Sequence, residues 1–384
     1  MVAKIKICKI SQYCLRWLAL GKSYSLLSVF TSSNQNGHIL EMKGPTMANN
    51  QQDLLTPDKR QQALTAWLKS VLLGINFTVK KHCGDASFRR YFRVITPSQQ
   101  YIAMDAPPLK ESCLSFVAIS KALRHHNVCT PNVFEQNIDQ GFLLLSDFGD
   151  EILLDQLNDQ TVDGYYQKGI ESLLLMQGCR DVPGYVLPTF DKGVNSYQGE
   201  MDLFTDWYLA QHRQLILTDL EQKEIQAALL LLQENNDTQP QVFVHRDYHS
   251  RNLMVLPEGS PLGVLDFQDA VMGPITYDLM SLLRDCYIDW PPEKVQQWAL
   301  SYQAQANKAG ILNLQDQALF LKWFDWTSLQ RHLKCLGIFS RLQRRDNKPE
   351  YLQYLPRVLT YAQSIASRYK EFSYLDELFQ RLIL

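Results

Sequence analysis

The chain has 384 residues, a formal net charge of −2, and 46% hydrophobic against 20% charged residues. This composition is typical of a soluble globular protein large enough for two domains or one two-lobed enzyme. The nearly balanced charge argues against nucleic acid or an anionic membrane surface as a partner. Eight cysteines without a CxxC pair favour reduced thiols in a cytoplasmic protein and argue against a zinc site.

The first 46 residues differ from the rest of the chain. Lysines precede a semi-apolar run that Arg16 and Lys22 interrupt, so the run is too short and too charged to span a bilayer and makes a poor signal peptide. Met47 begins a sequence typical of an ordinary start. We expect residues 1–46 to be a disordered extension or the result of a misassigned start codon. The alternative is a weak membrane or targeting segment.

Apolar residues at helical spacing predict a helix from Thr56 to Leu73, with Pro57 at its first position. The turn CGDASFRR at 83–90 lies between two strand-like runs. Such a turn can lay its N–H groups, the Ser87 hydroxyl and an arginine over phosphates, although this composition is more often only a turn. The strand-like runs are Phe77–His82, Tyr91–Ile95 and Tyr101–Met104.

A helix at Glu111–His126 and a hairpin of Val133–Gln136 with Phe142–Leu145 follow. We therefore predict an α+β fold: a small lobe at 47–146, with an antiparallel sheet and one inserted helix, and a larger, mainly helical lobe at 147–384. A polar segment that begins at Ser146 is the predicted hinge. In the larger lobe, helices are predicted at Asp163–Cys179, Ser196–Leu215, Leu220–Asn235, Pro274–Asp289, Pro291–Ala309 and Leu314–Leu336, and from Glu350 to the end.

The stretch from Val242 to Asp269 is the strand-rich part of this helical half and carries the chemistry. An apolar strand leads into a loop with the HRD tripeptide at 245–247 and, five residues after its aspartate, Asn252. Two short strands joined by a turn then end in Asp266. An aspartate, an asparagine and a second aspartate on adjacent strand ends form the layout of a magnesium-phosphate site for phosphoryl transfer.

The residue types suit the roles that phosphoryl transfer requires. Asp247 can accept the proton of the acceptor hydroxyl, while Asn252 and Asp266 offer the hard oxygen ligands that Mg²⁺ prefers. His249 can place a donor near the γ-phosphate. Asp278, in the first turn of the next helix, is expected to brace the catalytic loop rather than act in catalysis directly.

Three segments carry a resemblance to a known family: HRDYHSRN (245–252), VLDFQD (264–269) and GPITYDLMSLLRD (273–285). They resemble the aminoglycoside phosphotransferase/choline kinase superfamily, which shares the two-lobed protein-kinase-like fold. Longer strings, among them GDASFRRYFRV (84–94) and GFLLLSDFGD (141–150), are similar to its bacterial branch of anomeric kinases for N-acetylmuramate and N-acetylglucosamine, which serve peptidoglycan recycling in the cell wall.

The resemblance implies an ATP- and Mg²⁺-dependent phosphotransferase whose product is an N-acetyl sugar 1-phosphate. It makes Asp247 the catalytic base, and Asn252 and Asp266 the magnesium ligands. It also implies a nucleotide-phosphate loop at 84–90 and an adenine-binding hinge at 146–148. The nucleotide-binding residues are then Gly84, Asp85, Ser87, Arg89, Arg90, Ser146, Asp147 and Phe148, together with His249.

The chain departs from the kinase pattern in its third strand. Where a kinase carries VAIK, this chain reads IAMD at 102–105, so the lysine that positions ATP is missing and an acid replaces it. Either Arg89, Arg90 or Lys110 supplies the positive charge for the phosphates, or Asp105 has a different role. We expect the charge to come from Arg89 or Arg90.

The acceptor site is the least readable from the sequence. The lactyl carboxylate of N-acetylmuramate suits a guanidinium, which binds carboxylates in a bidentate way. Arg331 is the favoured candidate, although an ordinary arginine on a helix surface fits the sequence equally well. The candidate acceptor-binding residues are Tyr248, Asp206, His212, Asp325, Arg331 and His332.

Two other classes of function stay open. A kinase of the same fold could take an aminoglycoside, an amino alcohol or a protein serine; a cationic acceptor needs carboxylates, whereas the segment 325–345 is rich in basic residues. The missing lysine suggests a non-catalytic nucleotide-binding module, against which the intact Asp247, Asn252 and Asp266 count.

Overall fold

The computed structural model of the protein describes residues 57–83, 88–190 and 197–383. The predicted extension 1–46 and three candidate nucleotide-binding residues lie outside these ranges; the three are Gly84, Asp85 and Ser87. Within the described ranges, no helix combines the length and the apolar character that a membrane span requires.

The first part of the described chain is a sheet of five antiparallel strands in the order β1-β2-β3-β5-β4. A helix, α1, precedes the sheet, and a second, α2, is inserted after β3 as predicted. The bounds are α1 Pro57–Val71, β1 Thr78–Cys83, β2 Arg90–Ile95, β3 Gln100–Asp105, α2 Cys113–His125, β4 Val133–Asn137 and β5 Phe142–Ser146.

Both faces of this sheet are covered, because alternate side chains of a strand point to opposite faces. On β5, Phe142 and Leu144 pack with Trp67 on the side of α1. Leu143 and Leu145 pack on the opposite side, in the cluster that contains Phe116, Ile119 and Leu123 of α2. The continuous apolar run FLLL is therefore that of a strand buried on both faces.

The second part is mainly helical, which completes the predicted α+β fold; the lobe boundary at residue 146 stays a prediction. Two of its helix starts have side-chain caps: Thr218 forms a capping box with Glu221, and Asp316 accepts the N–H of Leu319. The α-helices are α3 Leu153–Gln156, α4 Val162–Gln177, α5 Tyr197–Leu203, α6 Asp219–Asp237, α7 Tyr277–Leu283, α8 Pro292–Lys308, α9 Gln317–Asp346, α10 Leu355–Ala366 and α11 Ser373–Ile383.

Several helix predictions in this part differ from the structure. The helix predicted at Leu314–Leu336 is longer, because α9 continues to Asp346. The helix predicted at Pro274–Asp289 runs only from Tyr277 to Leu283; at its predicted start Val271–Pro274 forms a strand, β9, paired with Gln241–Val244 (β6). The helix predicted at Ser196–Leu215 changes after α5 into a π-helix, Phe204–His212. The final helical stretch is broken into α10 and α11 by short 3-10 turns, Pro349–Tyr354 and Lys370–Phe372.

The chemistry-bearing stretch lies where the sheet-containing part meets the helical part. After β6 the loop passes through a 3-10 turn, Ser250–Asn252, into a hairpin of β7 (Leu253–Met254) and β8 (Gly263–Val264). The N–H of Val264 donates to the carbonyl of Cys129 at 2.8 Å. This backbone hydrogen bond therefore links the hairpin to the segment before β4.

Candidate active site

The loop after β6 is held by the buried carboxylate of Asp278. It accepts the backbone N–H groups of His245 at 2.6 Å and Arg246 at 3.0 Å. Arg246 has a φ of 77°, in the left-handed region, so the turn needs this support. Burial raises the pKa of Asp278 to about 6, while His245 acts to lower it. This is the contact expected of a bracing residue.

Asp247 presents a carboxylate that is both reachable and ionised. Its side chain is 45% exposed, and its Oδ1 lies 3.5 Å from Nη2 of Arg331. Burial acts to raise the pKa of Asp247, but the positive charges of Lys334 and Arg331 outweigh it and hold the pKa below its ordinary value. The carboxylate is therefore available as a proton acceptor at neutral pH.

A buried ion network behind Asp247 involves residues that sequence reasoning did not find. Oε1 of Glu200, on α5, accepts from Nη2 of Arg246 at 2.9 Å and lies 2.9 Å from Nζ of Lys334. Burial acts to raise the pKa of Glu200, but Lys334 and Arg246 outweigh it and lower the pKa. No local pattern signals these contacts, because the three partners come from distant parts of the chain.

Asn252 and Asp266 fit a hard cation that is shared with phosphate oxygens. The side chain of Asn252 donates from Nδ2 to the backbone carbonyl of Asp247 at 2.9 Å. The backbone carbonyl of Asn252 accepts the N–H of Leu265 at 2.9 Å. Oδ1 of Asp266 accepts from Nε2 of Gln268 at 2.8 Å. Among the described residues, no hydrogen bond occupies Oδ1 of Asn252 or Oδ2 of Asp266, so both atoms suit Mg²⁺.

His249 lies beside an aromatic group that the sequence did not indicate. Its ring packs edge-on against Tyr287, with centroids 5.3 Å apart. Burial lowers the pKa of His249, so the imidazole is neutral at neutral pH. Arg251 stacks on the same Tyr287 ring at 3.9 Å and donates to the Tyr354 hydroxyl at 2.7 Å. These rings form one wall beside the catalytic loop.

The side chains of the predicted adenine hinge are used within the protein. The Ser146 hydroxyl accepts the N–H of Asn132 at 2.9 Å, and the Asp147 carboxylate pairs with Arg93 at 2.6 Å. Phe148 lies against Gly263, where an added Cβ would come within 2.6 Å of its ring. At 146–147 the Asp147 carboxylate is therefore occupied by Arg93, whereas the Ser146 hydroxyl keeps its own proton to donate.

Asp105, at the position of the missing lysine, has a structural role. Its carboxylate is fully buried, accepts from Nε of Arg60 on α1 at 2.9 Å and pairs with Arg90 across the strand register. Arg89 instead pairs with Glu111, at 2.6 Å between Nη2 and Oε2. The two arginines that the sequence left as alternatives therefore have different partners: Arg90 pairs with Asp105 and Arg89 with Glu111.

Three of the candidate acceptor-binding residues lie in the helical core, where they contact other residues of the protein. Tyr248 is fully buried and donates its hydroxyl to the carbonyl of Gly169 at 2.8 Å. His332 is also fully buried, with its ring stacked on Tyr361 at 5.0 Å. Asp325 is buried and accepts from Nη2 of Arg284 at 2.6 Å. All three stabilise the helical core.

Two further candidates, Asp206 and His212, lie on the π-helical segment, where the ring of His212 stacks on Tyr208 at 5.7 Å. No contact with Asp247 is seen for either within the described residues. Arg331 is the predicted acceptor residue that does approach Asp247.

A small antiparallel sheet with an inserted helix, a helical second part and an HRD…N…D loop between them define a phosphotransferase of the two-lobed, protein-kinase-like class. Residues 78–314 match the family model described as the phosphotransferase enzyme family. The chain belongs to this family. It is therefore an enzyme, a kinase that uses a nucleotide.

The match between this chain and its relatives with curated names extends over nearly the whole length of each relative. An N-acetylmuramate/N-acetylglucosamine kinase of Pseudomonas putida is 38% identical over 85% of this chain and 97% of the relative. The kinases of the same name in Pseudomonas aeruginosa and Neisseria meningitidis are 39% and 37% identical, each over 85% of this chain, and they are covered to 98% and 96%.

Solved structures share the fold at low sequence identity. Plasmodium vivax ethanolamine kinase has a TM-score of 0.57 at 14% identity, over 85% of this chain and 96% of that one. The choline kinase of Streptococcus pneumoniae has a TM-score of 0.54 at 12% identity, over 80% and 99%. An ADP-bound aminoglycoside phosphotransferase has a TM-score of 0.53 at 15% identity, over 79% and 98%.

Proposed function

We propose that this chain is an ATP- and Mg²⁺-dependent kinase that phosphorylates the anomeric hydroxyl of N-acetylmuramate and N-acetylglucosamine. The observation that carries the proposal is the ionised, accessible carboxylate of Asp247 with Arg331 beside it. The relatives named as kinases of these two sugars match 85% of this chain. The product, a sugar 1-phosphate, would return cell-wall amino sugars to nucleotide-sugar synthesis in the cytoplasm.

In the proposed reaction Asp247 accepts the proton of the sugar's anomeric hydroxyl as that oxygen bonds to the γ-phosphorus of ATP. The bond between the γ-phosphorus and the β,γ-bridging oxygen breaks, and ADP leaves. Asn252 and Asp266 would hold Mg²⁺, which neutralises phosphate charge when it is bound. His249, neutral at neutral pH, can donate a hydrogen bond to the transferred group. Asp278 keeps the loop in place throughout, because it accepts two of the loop's backbone N–H groups.

Arg331 is the proposed ligand of the lactyl carboxylate. Its Nη1 has only weak partners among the described residues, the thiols of Cys286 at 3.8 Å and Cys335 at 3.6 Å, and its Nε has none. The Arg331 side chain is only 4% exposed, so the lactyl carboxylate would meet the edge of the guanidinium that faces the accessible Asp247, where Nη2 lies 3.5 Å from Oδ1.

This role predicts a difference between the two sugars, since N-acetylglucosamine lacks the lactyl group. Arg331→Met should raise the KM for N-acetylmuramate at least about tenfold more than the KM for N-acetylglucosamine, because a charge-assisted hydrogen bond is lost for one sugar only. Arg344→Met, in the exposed last turns of the same helix, is the control and should change neither constant. Equal losses for both sugars would remove Arg331 from acceptor recognition.

The class of acceptor is tested by measuring ATP consumption with a panel of amino sugars, amino alcohols and aminoglycosides. We expect turnover with the two N-acetyl sugars, dependent on added Mg²⁺ and stopped by a chelator. Turnover confined to cationic acceptors would mean that the likeness in fold to choline and aminoglycoside kinases extends to their substrates. The proposed function would then be wrong.

A further inference from the structure

We propose that Arg89, held in place by Glu111, supplies to the nucleotide phosphates the positive charge that a third-strand lysine supplies in protein kinases. In those kinases the lysine pairs with a glutamate of the inserted helix. Here the cation would come from the entry to β2 and the acid from the entry to α2. The inference rests on the proposed function, because it requires a nucleotide as phosphoryl donor.

The two faces of the sheet separate the candidates. Ala103 packs in the cluster on the side of α1, and Asp105, two residues later, meets Arg60 of that helix. Arg90 is drawn to the same side, because it pairs with Asp105. Met104 points to the other face and packs in the cluster with Phe116 of α2. The third strand therefore presents a methionine on the face where a cation is needed.

Glu111 binds the chain at the point where β2 begins. Its Oε2 lies 2.6 Å from Nη2 of Arg89, and its Oε1 accepts the backbone N–H of Phe88 at 3.1 Å. The Arg89 and Glu111 side chains are only 9% and 15% exposed, so water and salt screen the pair weakly. Lys110 contacts the face of Phe88, with Nζ 5.1 Å from the ring centroid. One carboxylate thus fixes both the backbone and the guanidinium.

The inserted helix connects this ion pair to the metal end of the site. Glu111 stands two residues before the first residue of α2, whose N-cap is Ser112. Phe116, one turn into the helix, packs on Phe267 with ring centroids 4.8 Å apart. Phe267 directly follows Asp266, the proposed magnesium ligand. The helix rises only about 4.5 Å from Cys113 to Phe116, at 1.5 Å per residue, so Glu111 and its partner Arg89 lie at the end of α2 that packs on the residue after Asp266.

The test compares nucleotide affinities with and without phosphates. For Arg89→Met, Arg89→Lys and Glu111→Gln, the Kd values of ADP and of adenosine are measured by calorimetry, with the KM for ATP alongside. Arg89→Met should raise the Kd of ADP about 10- to 100-fold and leave the Kd of adenosine unchanged, because only the phosphates lose a charged partner. Arg89→Lys should lose less affinity for ADP than Arg89→Met does. Glu111→Gln should weaken ADP binding several-fold, because Arg89 is then no longer held in position.

Lys110→Met is the matched control, since it removes a neighbouring cation that faces Phe88 and should leave the ratio of the two affinities unchanged. Arg90→Met should lower the melting temperature, because the buried Asp105 loses a partner, and should also keep the ratio. If Arg89→Met has a much lower melting temperature than the wild type, the ratio of ADP to adenosine affinity is compared in Arg89→Lys instead.

An unchanged ADP-to-adenosine ratio in both Arg89 variants would overturn the inference, as would a loss of ADP affinity in Lys110→Met or Arg90→Met instead. In that case turnover by the wild type would leave the proposed function intact. A wild type that bound neither ADP nor ATP would overturn both proposals together.

Discussion

At the scale of single residues, the site depends on carboxylates with different environments. Asp247 is reachable, and the cations around it lower its pKa. Asp278 is fully buried with a raised pKa and holds the loop through two backbone N–H groups. Their distinct roles follow from these environments: one carboxylate is placed to receive a proton, and the other keeps that carboxylate in position.

Asp247→Asn removes the proposed base while it keeps the shape of the side chain. Turnover should fall by about two or more powers of ten, and the Kd of ADP should change little, because the variant loses proton acceptance alone. Steady-state kinetics and calorimetry on the same preparation measure both quantities. Full activity in the variant would mean that another group takes the proton.

From the raised pKa of Asp278 we expect kcat to depend on pH in the acid range. Its pKa of about 6 means that the carboxyl gains a proton as the pH falls through that value, and one acceptor oxygen then becomes a donor that faces a backbone N–H. kcat should therefore decrease below about pH 6, although Asp247 stays ionised there. Asp278→Asn should have a low kcat already at pH 8 and lack this acid limb. A wild-type profile that is flat to pH 5 would contradict the assignment.

The short-range part of the site could be predicted from the sequence, and the long-range part could not. The spacing of Asp247, Asn252 and Asp266 lies within one loop and one hairpin, so local pattern indicates it. Tyr248, Asp325 and His332 are candidates in the sequence because a polar side chain is expected at a surface. Here partners from distant elements satisfy them in the core, as the carbonyl of Gly169 does for Tyr248.

At the scale of elements, the long helix α9 links the fold to the chemistry. Arg331 and Lys334 stand three residues apart, on one side of the helix, and meet Asp247 and Glu200. One turn after Lys334, Gly337 allows α9 to approach α5, the helix that carries Glu200. The same contact between helices therefore stabilises the core and places two charges at the loop.

This contact predicts contrasting effects for two glycines. A Cβ at Gly337 would lie 2.3 Å from the backbone C and O of Leu203, which cannot move aside without shifting α5. Gly337→Ala should lower the free energy of unfolding by about 1–3 kcal/mol, and kcat should fall with it. Gly164→Ala, in a helix position with open space around it, should be neutral or stabilising by up to about 1 kcal/mol. Urea unfolding of the two variants tests this; equal midpoints would contradict it.

Secondary structure was predictable where one periodicity ran undisturbed and was not where tertiary pairing overrode it. The strands and the inserted helix of the first part follow their local patterns closely. Gly273–Leu279 looks in the sequence like the entry to a helix, because Pro274 is typical of a first helical turn. In the structure Val271–Pro274 pairs instead with Gln241–Val244 as a strand. A partner thirty residues away in sequence decided its conformation, which local pattern cannot reveal.

At the scale of the whole described chain, the proposed nucleotide-binding groups come from the sheet-containing part, and the proposed base and acceptor-binding groups come from the helical part. The hairpin that ends at Asp266 touches both: its backbone bonds to Cys129, and Phe267 packs on Phe116 of the inserted helix. Family membership fixes the reaction class, and the basic side of α9 near Asp247 favours an anionic or neutral acceptor over a cationic one.

The position of the new phosphate tests the central claim most directly. Each N-acetyl sugar is incubated with ATP and Mg²⁺, and the product is examined by phosphorus NMR together with an assay for the reducing end. We expect a phosphorus resonance coupled to the anomeric proton, and the loss of one reducing end for each ATP consumed. A phosphate at C6 with the reducing end retained would contradict the proposal that this chain is an anomeric sugar kinase.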